Sequence, residues 1–181
     1  MNIEYINPFI EASQSVLKMM LGIDVKLGKV YLKSSPYMGD SAMIIVGLTG
    51  RIRGQAVFCM SKSVAIYIAS IMMGGIDLKD LDEIGKSAIS ELTNMILGNT
   101  ATILEKTGVN VEITPPSFVM GDNMQISSNK VRIICIPLIL DPNDPSKVIN
   151  IDINIAQDDK DGEKEKDKEL DKELEKELNK K

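Results

Sequence analysis

Histidine is absent from all 181 residues, which removes Ser/His/Asp and Cys/His triads and histidine-ligated metal centres from the available chemistries. Any catalysis must run on carboxylates, amides, hydroxyls or lysines. Tryptophan is missing too, and aromatic residues make up only 4% of the chain, while eleven methionines and many isoleucines supply the apolar volume. The core this predicts is aliphatic and pliable. Cysteine is limited to Cys59 and Cys135. Each lies in a strand-like apolar run without a CxxC neighbour, so both read as buried, reduced thiols of a cytosolic protein.

Positive charge is not in excess: the net charge is −5, and no stretch interleaves basic residues with aromatics. A nucleic-acid partner is therefore not expected. No window reaches the ~18 apolar residues that a membrane span requires. The opening MNIEYINPFIEA also lacks the basic-then-apolar order of a secretory signal. The expectation is a soluble cytoplasmic protein that does not engage a membrane.

The length and the 44% apolar fraction predict one globular body, and composition divides the chain once. Residues 1–157 form the body. Residues 158–181, DDKDGEKEKDKELDKELEKELNKK, hold eleven acids against eight lysines, with only Leu170, Leu174 and Leu178 apolar. Three leucines at helical spacing bury too little surface to hold a helix down, so a disordered or solvated helical tail is expected.

Within the body, Asn7-Pro8 predicts a helix N-cap followed by proline at the first helical position, with Phe9, Ile10, Val16, Met19 and Met20 on its apolar face. The runs VKLGKVYLK, SAMIIVGLTG and RIRGQAVFCM predict strands, the last two in a hairpin. Gly47, Gly50 and Gly54 have neither the spacing nor the following Lys-Ser/Thr of a phosphate loop, so they read as turn and strand glycines. A short helix capped by Ser61 or Ser63 should end at Gly74-Gly75. A long helix should then run from about Leu81 to Lys106 and stop at Gly108. Three more strand-like runs follow: VNVEITPPSFVMG, VRIICIPLIL and KVINIDINI. Grouped helices and hairpin-like succession of strands predict an α+β architecture in two layers, a mainly antiparallel sheet covered by helices, one of them long.

The long helix carries SAISELTNMILGNTA. At about 100° per residue, Ser87, Glu91, Asn94 and Gly98 fall within a stripe about 60° wide. Ala88, Ile89, Leu92, Met95, Ile96 and Ile103 cluster elsewhere, as the face that packs on the sheet. Polar residues on the outer side of an amphipathic helix are also what an ordinary solvated face looks like. Gly98 argues for more, because an interior glycine costs roughly 1 kcal/mol relative to alanine and implies close approach by something. Asn94 is a mediocre helix former without a capping role. Asn99 lies nearer the apolar side and reads as a hydrogen-bonded structural amide.

The pattern Ser87-x3-Glu91-x2-Asn94, followed by Pro115 or Pro116, resembles the signature of the CheC/CheX/FliY family of CheY phosphatases. YINPFIEA, GLTGRIRG, ELTNMILGNTA and PPSFVMGDN are similar to the family's sequence, in the same order across residues 1–156. The single ExxN motif points to the CheX branch over the doubled CheC. The resemblance implies hydrolysis of the aspartyl phosphate of a CheY-type receiver domain. Glu91 would dock on the receiver's active-site lysine, and Asn94 would position the attacking water. Ser87 would support the docking surface and Gly98 would clear space for the partner. It also implies no cofactor and no metal of the chain's own, a divalent metal (Mg) supplied by the receiver, and a homodimer formed through sheet pairing. Pro115 and Pro116 are expected to shape the turn after the helix. Relatives of this fold also serve as non-catalytic adaptors or flagellar-switch components, which is the competing expectation.

Overall fold

The computed structural model describes residues 5–127 and 133–157; the charged tail expected at 158–181 lies outside the described residues. Among the described residues, three helices, α1 (Asn7–Leu21), α2 (Lys62–Met72) and α3 (Glu83–Lys106), accompany ten strands. Two of these form the central hairpin, β4 (Ala42–Gly50) and β5 (Ile52–Met60). On one side of it lie β10 (Val148–Gln157), then β9 (Ile133–Ile139), then the short β1 (Lys26–Leu27) and β2 (Tyr31–Lys33), both paired with β9. On the other side, β6 (Val111–Ile113) and β7 (Ser117–Met120) pair with successive parts of β4. Every pairing is antiparallel. A separate ribbon joins β3 (Tyr37–Met38) to β8 (Gln125–Ile126). The predicted α+β arrangement is the one found.

The period-two rule places the core. In INIDINI, Ile149, Ile151, Ile153 and Ile155 belong to the main core with the helices, as do Ile44, Val46 and Leu48 of β4 and Ala56, Phe58 and Met60 of β5. The intervening Met43, Val57 and Cys59 make a smaller cluster on the other face, against which Met124 and Ile126 pack. Gly54 meets β10 so closely that a Cβ would lie 1.9 Å from the Asn154 carbonyl oxygen, at φ +148°. Its role is strand packing, as its spacing predicts, and has nothing to do with phosphate.

Two details of α1 differ from expectation. The helix already includes Asn7, and its cap is Ile6, with no side-chain hydrogen bond. Ile6 is buried in the core with helical backbone angles, and its carbonyl accepts from the amides of Phe9 and Ile10. Burial of an apolar side chain thus sets the register one residue earlier than the Asn-Pro pair implies. The buried face runs through Phe9, Ala12, Val16, Leu17 and Leu21, with Ile10 and Met20 partly buried against it. Met19, about 200° from Leu17 around the helix, is 64% exposed.

Ser61 caps α2, its Oγ accepting from the Val64 amide at 3.3 Å, and Gly74 and Gly75 follow its end at positive φ. No helix among the described residues is long and apolar enough to cross a membrane.

Candidate functional site

Helix α3 begins where Asp82 accepts a hydrogen bond from the Gly85 amide at 2.8 Å, a side-chain N-cap. It ends before Gly108, at φ +82°. Its buried line comprises Ile89, Leu92, Thr93, Ile96, Leu97, Thr100 and Leu104, and it contacts α1, α2, β6 and β7. The buried Thr100 hydroxyl is satisfied within the helix, donating to the Ile96 carbonyl at 2.9 Å. Ala88, Met95 and Ile103 are only half-buried. Ile103 borders a second cavity, of about 660 Å³, shared with Tyr5, Pro8, Glu11 and Arg51. The apolar face therefore sits further toward Thr93, Leu97 and Leu104 than the sequence-based set.

The opposite line of α3 is the predicted stripe. Ser87 and Glu91 are exposed, and Asn94 and Gly98 are half-buried. Among the described residues, Glu91 and Asn94 have no side-chain hydrogen-bond or ion-pair partner, and neither does Ser87. An amide and a carboxylate without partners on a well-formed helix are free to engage another molecule. Among the described residues, and apart from its own stretch of helix, Gly98 has no heavy atom within 4 Å of the position a Cβ would take. None of the described residues requires a glycine there. Asn99 is exposed, and its Nδ2 donates to the Met95 carbonyl at 2.9 Å; it is a hydrogen-bonded amide, but on the solvent side.

Ser87, Glu91 and Asn94 of the stripe stand on one wall of an open groove of about 580 Å³, which Gly98 does not line. Glu83, Lys86, Ser87, Ser90, Glu91 and Asn94 form the polar wall, on which Lys86 Nζ pairs with Glu83 at 2.6 Å. Pro116, Phe118 and Met120 form the facing wall. Sheet register explains why these side chains arrive there. Phe118 pairs with Ile44 and Met120 with Ala42. Directly paired residues of antiparallel strands share a face, and Ile44 and Ala42 face the helical core. Phe118 and Met120 therefore point to the helix side, at the sheet edge beside α3.

The prolines contribute to the same wall. Pro115 and Pro116 lack the N–H groups a strand needs, and the ladder on β4 is broken between β6 and β7. Thr114 bridges the break: its amide donates to the Gly47 carbonyl at 3.0 Å, and its Oγ1 accepts from the Gly47 amide at 2.8 Å. Pro116 is half-buried and lines the groove, whereas Pro115 is exposed. Pro116 thus belongs to a wall of the groove as well as to the turn after the helix.

A second polar cluster lies on the face of the sheet away from the helices. Asp152 is buried, and its carboxylate pairs with Lys33 Nζ at 2.9 Å. Cys59 Sγ lies 3.5 Å from the same carboxylate, and Lys33 Nζ sits 4.8 Å from the Tyr37 ring centroid. Burial pushes the Cys135 thiol up to about 12 and raises Cys59 as well. Both remain protonated near neutrality, which makes them poor nucleophiles. The cysteines are buried and free, as their strand setting implies. Among the described residues, no three or more Cys, Asp or Glu gather as a metal site would need.

The family model described as chemotaxis phosphatase CheX matches residues 42–138. The CheY-P phosphatase CheX of Thermotoga maritima is 37% identical over 128 residues, which cover 71% of this chain and 83% of that protein. The chain belongs to the CheX family. Solved CheX structures share its fold. The chemotaxis protein CheX of Desulfovibrio desulfuricans superimposes with a TM-score of 0.74 at 29% identity, over 86% of this chain and 100% of that one. The CheX–CheY–BeF3–Mg complex of Borrelia burgdorferi matches with a TM-score of 0.73 at 33% identity, over 86% and 100%. The stretch matched by the CheX model contains both walls of the groove.

Proposed function

We propose that this chain is a phosphatase that hydrolyses the aspartyl phosphate of a CheY-type receiver, with Glu91 docking on the receiver and Asn94 positioning the attacking water. The observation that carries the reading is the pair Glu91 and Asn94, exposed and half-buried on one line of α3 and without side-chain partners among the described residues, in a chain of the CheX family. The complex of the Borrelia burgdorferi relative with CheY supports the choice of partner.

The chemistry suits a chain without histidine. Water attacks phosphorus as the bond between phosphorus and the aspartyl oxygen breaks, and that electron pair returns to the receiver's carboxylate. Inorganic phosphate leaves with the water oxygen, and the released proton passes to phosphate or solvent. An acyl phosphate is already activated, so orientation of the water and electrostatics account for most of the acceleration. An asparagine amide orients water without having to titrate. Glu91, three residues before Asn94, lies within the same turn and holds the receiver by its charge. Ser87 supports the surface, and Gly98 leaves clearance. In this reading the divalent metal, Mg, belongs to the receiver, and the setting is the cytoplasm.

The reading includes a homodimer formed through sheet pairing. Strand β4, the apolar run most hazardous as an open edge, is paired on both sides, by β5 and by β6 and β7. In this reading, pairing between subunits through the main sheet uses an outer edge of it, β1/β2 or β6/β7. Phosphate release from a receiver charged with a small phosphodonor tests the phosphatase. Glu91→Ala and Asn94→Ala should both lose the acceleration; rates equal to wild type in both variants would overturn the reading and leave an adaptor.

A further inference from the structure

The facing wall of the groove has no part in the roles assigned to Glu91 and Asn94, yet it is built of exposed apolar surface. Met120 is 41% exposed on an edge strand, and Phe118 is half-buried beside it. On α3, Ile84 is 64% exposed and stands two turns before Glu91 on the same line. We propose that Phe118 and Met120 form an apolar seat for a side chain of the docking receiver, and that Met120 discriminates among receivers. The inference rests on the docking reading above and extends it.

The occupant follows from continuity. Asn94 and Met120 line one groove, so a partner that reaches into it to engage Asn94 also covers the β7 wall. An apolar group placed there gains from leaving water, whereas a charged group loses its hydration with no partner on this wall. A receiver presenting an aliphatic or aromatic side chain opposite Met120 is accepted. One presenting a carboxylate or ammonium group is rejected. The polar wall fixes the position of the phosphorylated aspartate, and the apolar wall selects which receiver brings it.

The test compares Met120→Glu, Met120→Leu and Asn94→Ala on a phosphodonor-charged CheY-type receiver encoded with this chain, alongside titration of the same receiver activated by beryllofluoride. Met120 is exposed, so thermal melting of both Met120 variants should match wild type. Met120→Glu should raise KM and the dissociation constant at least tenfold with kcat within threefold of wild type. Met120→Leu should stay near wild type in both. Unchanged binding by Met120→Glu, or a fall in kcat without a change in KM, overturns the proposal. Full turnover by Asn94→Ala overturns the phosphatase reading instead, and receiver binding by Met120→Glu then still decides the fate of the apolar seat.

Discussion

Phe118 lies directly across the sheet from Ile44, and because Ile44 faces the helical core, Phe118 is turned toward α3 and not away from it. That single pairing converts a helix with a polar stripe into a groove with two walls. Without it, Glu91 and Asn94 would stand on an open convex surface. With it, a partner that reaches Asn94 must also accommodate β7.

Gly98 gives the docking account a test in which stability and activity move in opposite directions. Its helical position has open space where a Cβ would go, and alanine stabilises a helix interior by about 0.5–1 kcal/mol relative to glycine. Gly98→Ala should therefore raise the melting temperature by about 1–4 °C while weakening receiver binding, because the added methyl occupies clearance the partner uses. Calorimetric melting and titration with activated receiver check both halves. A stabilised variant that binds as well as wild type would remove Gly98 from the docking face.

The stripe was legible because a helix repeats locally: four residues at the spacing of Ser87, Glu91, Asn94 and Gly98 share a face whatever they pack against. INIDINI was legible for the same reason, through the period of two. The facing wall was not, since nothing in SFVM alone tells which of its two faces meets the helices. That depends on register with β4, some seventy residues earlier, and on the break that Pro115-Pro116 forces into the edge. Met19 and Ile103 were misplaced because an apolar residue at the margin of a face is assigned by its neighbours in space. The Lys33–Asp152 pair, 119 residues apart, left no local trace at all.

That pair governs a separate prediction about stability. The Asp152 side chain is fully buried, and removing one member of a buried ion pair leaves an uncompensated charge that costs about 3–5 kcal/mol. Lys33→Met should destabilise the fold by this order in urea unfolding. The double variant Lys33→Met/Asp152→Leu should recover most of the loss, since a buried pair is often replaceable by apolar groups. Equal losses in the single and double variants would show that the pairing itself matters little.

The same lysine predicts an alkaline dependence. Burial disfavours its charged form, but the hydrogen bond and charge of Asp152 outweigh burial and hold Lys33 above its ordinary range. A lysine raised on folding contributes stability that is fully present below its unfolded value, about 10.4. The contribution is lost as pH rises through the folded value. Unfolding free energy measured from pH 9 upward should fall more steeply in the wild type than in Lys33→Met/Asp152→Leu. Parallel curves would contradict it.

If Glu91 docks the receiver and Asn94 orients the water, turnover and binding taken from the same Asn94→Ala preparation must part. With a phosphorylated CheY-type receiver, kcat should fall by about 100-fold or more, the scale expected when a group that orients the reacting water is removed. The affinity for the beryllofluoride-activated receiver should remain within a few-fold of wild type. Wild-type turnover, or loss of binding sufficient to account for all of the lost activity, would contradict the assignment of Asn94 to the water.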